Sequence, residues 1–398
     1  MPKKGFVPCM VRLEDGFIRD LAPELAPKGG ETVLDVGDDM VIPGLVDVHL
    51  HGAMGRDFSR SDTEPDAPDE IAAYEYKNGV TAICPTTMAL PKEKLQAVLG
   101  QIGRYAEKQE TQRCGGRSHV LGIHLEGPHL AAQKAGAQKK ESLTAPNTEL
   151  FREWDLASGN RIRLVTIAPE LPGAEAWIRE VSQKAIVSIG HTNADYETAR
   201  SAFIAGASHI THLFNGMGAI HHREPGLIPA AVDLRKDPAY RADIKLVKED
   251  GCTDEVTGCV HEIYAELICD LIHVHPAMVR MAYSLFPDHI VLISDSMEGT
   301  GMPDGTYELG GQEVQKEGPR AVLTDRTLAG SVSNLFDCFR GAVSIGIPLE
   351  QAILSVTYLP AKSIGMERTC GVIREGAYGD LLVINDELKL VKIIDGRW

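Results

Sequence analysis

Five side chains suited to holding a divalent metal arrive in a fixed order, each at or near the end of an apolar run. His49 and His51 close GLVDVHLHG, Glu126 closes VLGIHLEGP, His191 closes AIVSIGHT, and His212 sits in SHITHLFNGM. Asp295 follows the run in HIVLISDSMEGTG. A cation held by imidazoles and one carboxylate, with a free aspartate beside it, makes hydroxide from water near neutral pH and aims it at a carbonyl. Taken singly, each motif has a plainer reading. An HxH pair puts two imidazoles on one strand face but also arises by chance. A carboxylate before Gly-Pro can be a surface charge or a helix cap, a histidine can be a satisfied core group, and Asp295 can cap a helix in SDSMEG. Taken together, five accidents would have to fall at successive strand ends with no competing ligand set. In the metal reading Asp295 is the proton-transfer group rather than primarily a ligand.

Short apolar runs bounded by turn residues predict eight strands between residues 40 and 300, most followed by a helix-like segment. They end near His51, Thr87, Glu126, Ala168, His191, Phe214, Val274 and Asp295. Eight such units in series predict an α/β fold, a (β/α)8 TIM-like barrel, whose functional residues project from the C-terminal strand ends. The candidates then fall on strands one, three, five, six and eight and open onto one face. The chain ends differ: residues 1–44 and 331–398 alternate short β-prone pieces with Gly and Asp turns. They predict a small flanking β-sandwich built from both ends, leaving 45–330 as the catalytic barrel with an insertion near 233–262. No low-complexity tract or solenoid-period repeat interrupts this plan.

The 398 residues carry a formal charge of −16 and a hydrophobic fraction of 43%. That is ample for a buried core, and the charge disfavours nucleic acid and anionic membranes as partners. An anionic substrate would need a local basic pocket. The eight cysteines, Cys9, Cys84, Cys114, Cys252, Cys259, Cys269, Cys338 and Cys370, form no CxxC pair and are read as reduced thiols of a cytoplasmic protein. Cys252, Cys259 and His261 invite a structural-zinc reading, but their spacing is not that of a standard finger and free thiols are the better account. The N-terminal segment meets charged residues before it builds a signal-type apolar stretch, and no later run approaches membrane-spanning length.

The series VDVHLHG, HLEGP, GHT, THLFNGM followed by REPG, IHVHP, SDSMEGTG and LAGSVSN resembles the N-acetylglucosamine-6-phosphate deacetylases of the amidohydrolase superfamily, from about residue 11 to the C terminus. The resemblance implies hydrolysis of the acetamide of a 6-phosphorylated amino sugar with release of acetate, and the barrel with its sandwich. It implies Glu126, His191 and His212 as principal metal ligands and Asp295 as the catalytic aspartate. His49 and His51 put the chain with members that carry HxH and can hold two metals, zinc or iron foremost, manganese or cobalt as alternatives. Arg223 in REPG matches an arginine that binds the sugar phosphate, reaching in from the neighbouring subunit of a homodimer. Asn215, Gly216, Ala137, Gln138 and the stretch Leu328, Ala329, Gly330 match substrate contacts, and His273 matches a histidine that orients or polarises the substrate. Gln138 stands where some members have histidine, and SVSNLF after LAG departs from the usual, more apolar continuation. Three alternatives stay open: a deaminase or cyclic amidase sharing the HxH and late aspartate, a deacetylase of an epimeric N-acetylhexosamine 6-phosphate, and a non-enzymatic barrel. For Arg223 the plain alternative is a solvated surface arginine.

Overall fold

The computed structural model describes residues 5–112, 115–240 and 262–396. Eight parallel strands follow one another around a barrel: β1 (Leu45–Leu50), β2 (Val80–Thr87), β3 (Ile123–Glu126), β4 (Ile162–Ile167), β5 (Ile186–Ile189), β6 (His209–Ile210), β7 (Tyr264–Ile268) and β8 (Ile290–Ile293). A two-residue strand, His119–Val120, pairs with β2 off this path. The Val80–Thr87 run is buried at every position, as expected of a strand covered on both faces. Helices supply the outer cover. In Lys92–Thr111 the buried residues Leu95, Val98, Leu99, Ile102, Tyr105 and Ala106 recur at helical spacing and form one apolar stripe.

No ladder joins β8 to β1 among the described residues. The two meet instead just past their C-terminal ends, where the Asp295 N–H donates to the His49 carbonyl at 3.0 Å and the His51 N–H donates to the Ser296 carbonyl at 2.8 Å. The barrel is therefore closed by the residues that carry the candidate chemistry.

The seventh strand differs from expectation. It ends at Ile268 rather than near Val274. The Asp270 side chain accepts the N–H groups of Ile272 and His273, both at 2.9 Å, and Leu271 takes a φ of +62°. A local side-chain turn thus outcompetes the ladder, and IHVHP becomes a loop at the barrel mouth.

Met40–Pro43 pairs antiparallel with Leu381–Ile384, which pairs in turn with Leu390–Ile394. The hairpin Met10–Glu14 and Phe17–Ala22 joins the C-terminal segment through the Ile18 N–H to the Ala377 carbonyl at 2.8 Å. Flanking antiparallel sheets from both chain ends are the expected arrangement. Before its two strands, the 331–398 segment forms three helices, Leu335–Ser344, Leu349–Val356 and Tyr358–Ser363. The last contributes Leu359 and Ala361 to an apolar cluster with Val46, Val48, Val291 and Ile293 of the barrel.

A further three-stranded antiparallel sheet, Gly305–Leu309, Gln312–Glu317 and Arg320–Leu323, follows β8, where the sequence pattern predicts only barrel. Gly310 and Gly311, at φ +56° and +82°, make its first turn, a two-residue hairpin connection that needs glycine. Helix Leu227–Lys236 occupies the start of the 233–262 insertion, and Cys252, Cys259 and His261 lie outside the described residues. Cys9, Cys84, Cys269, Cys338 and Cys370 are free thiols. Among the described residues no helix is long and apolar enough to cross a membrane.

Candidate active site

The end of β1 turns His49 and His51 towards the barrel axis, β3 delivers Glu126, and the segments after β5, β6 and β8 deliver His191, His212 and Asp295. All six side chains are almost fully buried. His191, His212 and Asp295 have φ values of +46°, +28° and +49°. Left-handed backbone at three non-glycine residues of one site is strain of the kind that tertiary packing must enforce.

Two donor sets emerge, Glu126 with His191 and His212, and His49 with His51 and Asp295. In the first, Glu126 Oε1 lies 3.0 Å from His191 Nε2 and 3.1 Å from His212 Nε2, and the two Nε2 atoms are 3.0 Å apart. In the second, the Nε2 atoms of His49 and His51 are 3.3 Å apart, with Asp295 Oδ1 at 3.4 and 3.2 Å. Glu126 spans both, its Oε2 lying 3.3 Å from His51 Nε2.

The outward nitrogens settle the tautomers. His191 Nδ1 faces the Lys134 carbonyl at 2.8 Å, His212 Nδ1 the Asn215 carbonyl at 3.1 Å, and His51 Nδ1 the Thr86 carbonyl at 3.3 Å. His49 Nδ1 faces Glu266 Oε2 at 2.9 Å. Carbonyls and carboxylates only accept, so each Nδ1 carries a proton, and four Nε2 atoms converge on two carboxylates; a bound cation would replace any proton on Nε2 and take its lone pair. Tetrahedral zinc at ~2.0–2.1 Å from each ligand sets neighbouring ligands roughly 3.3 Å apart. The residues present fit one or two divalent cations.

The electrostatics agree. Burial opposes charge on every member, yet Glu126, Asp295 and Glu266 hold the His49 imidazole well above its usual range, and Asp295 and Glu126 push His51 up to about 9. Burial likewise works against the carboxylates, but the imidazoles, His49 foremost, hold Glu126 and Asp295 below their ordinary values. The centre demands positive charge.

The remaining sequence candidates sort into those that touch this centre and those that do not. Gly216 has a φ of +60°, and a Cβ there would lie 3.2 Å from His191 Nδ1 and 3.3 Å from His212 Cε1, so only glycine leaves both imidazoles in place. Asn215, half-buried, contributes the carbonyl under His212. His273 Nδ1 donates to Asp270 Oδ2 at 2.7 Å and its Nε2 to the Ala329 carbonyl at 2.8 Å. Burial lowers the His273 pKa, but Asp270 outweighs it and the net shift is upward. Leu328, Ala329 and Gly330 form a strap beside Asp295: a Cβ on Gly330 would meet the Asp295 carbonyl at 2.9 Å. Ser331 in SVSN donates its N–H to that carbonyl at 2.7 Å and its hydroxyl to the Ser294 carbonyl at 2.6 Å. Ser331 therefore supports the backbone of Asp295.

Gln138 is buried, donates Nε2–H to Glu126 Oε2 at 2.7 Å, and accepts the Ala89 N–H at 2.7 Å. Ala137 is half-buried, and its carbonyl accepts from Gln312 at 2.5 Å. Arg223 stands apart, exposed, with a guanidinium nitrogen 2.7 Å from His222 Nε2. Glu266 escaped sequence reasoning. It is a fully buried carboxylate in the strand YAELI, and a charge in a buried apolar run was the signal.

Residues 40–396 match the amidohydrolase family. The chain belongs to that family. It is 32% identical to N-acetylglucosamine-6-phosphate deacetylase of Vibrio furnissii over 92% of this chain and 84% of that protein. It is also 32% identical to N-acetylgalactosamine-6-phosphate deacetylase of Escherichia coli O157:H7, over 96% of this chain and 92% of that one. The crystal structure of N-acetyl-D-glucosamine-6-phosphate deacetylase from Mycobacterium smegmatis superposes with a TM-score of 0.82 at 29% identity, covering 97% of this chain and 93% of that one.

Proposed function

We propose that this amidohydrolase hydrolyses the acetamide of N-acetyl-D-glucosamine 6-phosphate to D-glucosamine 6-phosphate and acetate. The observation that carries the reading is the convergence of four Nε2 atoms and two carboxylates, His49, His51, His191, His212, Glu126 and Asp295, at the mouth of a barrel whose relatives bear that name. These residues would hold one or two divalent cations, zinc or iron foremost, with manganese or cobalt as substitutes. When bound, the cation supplies Lewis acidity and a water that ionises near neutral pH.

The protein's own groups do the rest. Asp295, kept anionic by its imidazole neighbours, accepts the proton of the attacking water and returns it to the leaving nitrogen, without which an amide anion would have to depart. His273, anchored on Asp270, offers an Nε2–H that a substrate carbonyl oxygen takes over from the Ala329 carbonyl. Asn215, Gly216, Ala137, Gln138 and the strap Leu328–Gly330 line the sugar site, and Gln138 also orients Glu126. Arg223 takes the 6-phosphate of a neighbouring subunit in a homodimer; its exposure and the two donors of a guanidinium fork support this. The free thiols among the described residues, Cys9, Cys84, Cys269, Cys338 and Cys370, support a reducing, cytoplasmic setting.

The equal identity to an N-acetylgalactosamine-6-phosphate deacetylase supports a second reading, in which the epimeric sugar is the substrate. Acetate release from both epimers, with and without the 6-phosphate, separates the two. Arg223→Ala should cost on the order of tenfold or more in kcat/KM for phosphorylated substrate, and Arg223→Lys less. Equal loss on an unphosphorylated sugar would remove the phosphate role.

A further inference from the structure

Beneath the two donor sets lies a second layer of polar side chains, fully enclosed by the barrel. Glu266 Oε2 accepts His49 Nδ1–H at 2.9 Å and the backbone N–H of His212 at 3.2 Å. Its other oxygen lies 3.3 Å from His209 Nδ1. His124 packs edge-on against His49, ring centroids 4.5 Å apart, and its Nε2 meets the Thr166 hydroxyl at 2.8 Å. Thr166, Thr211 and Ser188 continue as a hydroxyl chain at 2.8 and 2.6 Å.

Glu266 thus touches one member of each donor set, the side chain of His49 and the main chain of His212. A carboxylate behind an imidazole fixes the tautomer that turns Nε2 inward and raises its basicity as a ligand. His49, His124 and Glu266 also have the donor types of a cation site. A neutral imidazole offers one lone pair, however, and His49 directs Nε2 at His51 and Asp295, so Nδ1 serves as donor to Glu266.

We propose that Glu266 is the positioning residue of the metal centre: it holds His49 with Nε2 inward and ties the His49, His51, Asp295 set to the backbone of the Glu126, His191, His212 set. The inference rests on the metal reading above. It makes the upper centre and the buried carboxylate one unit, and it leaves no cation between His49 and His124.

Cobalt titration of the metal-stripped full chain tests this, read by absorbance in the visible region and by equivalents bound. The cobalt class that depends on the His49 side is identified by its loss in His51→Ala. Glu266→Gln keeps an acceptor oxygen but loses its charge, and should weaken that class by ~10-fold. Glu266→Ala should weaken it towards ~100-fold, the range for removing a partner behind a metal-ligating histidine. The visible bands of that class should shift in Glu266→Gln even where thermal stability matches the parent, a signature that a merely structural role would not give. Should Glu266→Ala fail to fold, Glu266→Gln carries the test alone. A parent that takes up no cobalt overturns the metal reading and this inference together. A parent that takes it up, with Glu266→Gln holding it at parent affinity and with parent bands, overturns this inference alone. His124→Asn should keep every equivalent; loss of one would make the inner cluster a cation site and overturn the proposal.

Discussion

The two donor sets share a barrel mouth and Glu126, but they are built differently. Around Glu126, His191 and His212 the donor atoms lie within 3.0–3.1 Å of one another, and both imidazoles are backed by loop carbonyls, those of Lys134 and Asn215. Around His49, His51 and Asp295 the spacings open to 3.2–3.4 Å. There the backing is a side-chain carboxylate for His49 and a longer contact to the Thr86 carbonyl for His51. Backbone carbonyls of a packed loop hold an imidazole without a further buried charge, whereas a carboxylate brings its own desolvation cost. The first set is the more compact cluster, and the second is more easily perturbed.

Metal removal is the largest expected effect and the hardest test of that difference. A strong chelator should abolish turnover, and the cation of the His49, His51, Asp295 set should leave first. Metal per chain, followed against residual activity and compared with His51→Ala, checks the order; full turnover in a verified metal-free protein would break the comparison altogether. Next comes Asp295→Asn, which keeps the shape of the wider set but removes its proton carrier. It should lower kcat by ~10²–10⁴-fold with little change in KM. An unchanged kcat would reduce Asp295 to a ligand.

Gly216→Ala perturbs the compact set instead. A left-handed alanine costs roughly 1–2 kcal/mol and its methyl presses on His191 and His212. The variant should melt lower and bind metal more weakly at that set, while the cobalt class that depends on His51 keeps its affinity. Loss from both sets alike would mean that they are not separable.

The smallest effect is expected at Asp270, outside both sets. Asp270 raises the His273 pKa, and His273 lowers that of Asp270 although burial opposes both shifts. The raised histidine stabilises the fold fully below its unfolded pKa and loses that contribution as pH rises through the folded value. The depressed aspartate stabilises above its unfolded pKa and loses its contribution as pH falls through the folded value. The pair is therefore most stabilising between roughly pH 4 and 6.5, bounded by the ordinary values. Asp270→Asn should flatten both flanks of a stability profile and move the alkaline limb of kcat/KM towards acid. An unmoved limb would take His273 out of the rate-determining proton balance.

Much of this was legible in the order of residues. Strand-length apolar runs ending in His51, Glu126 and His191 report barrel strands because burial on both faces demands continuous hydrophobicity, and it is the set of polar side chains at those ends, not any one of them, that points to chemistry. Glycine at 216 was legible as a motif, while its reason, two imidazoles within 3.3 Å of an added Cβ, was not. The end of the seventh strand is not legible, because LIHVHP has strand composition and the Asp270 turn that ends the ladder early is a contest between two local hydrogen-bonding schemes. The sheet at Gly305–Leu323 left its signs in GG and EGPR, yet its alternation is short and half-exposed, too weak to mark it off from the barrel in the sequence.

Residue types and spacing by themselves determined the class of fold, the face on which the chemistry sits and the identities of the six converging side chains. They did so because a strand alternates with period two and a barrel brings every strand end to one rim. Partners were decided only by tertiary structure. That Glu266 stands behind His49 across 217 residues of chain, that Gln138 grips Glu126, and that the Ala329 carbonyl meets His273 are contacts between segments remote in sequence. Local periodicity carries no information about which buried donor will find which acceptor; the closed barrel and its loops set those distances, and with them the tautomers on which the centre depends.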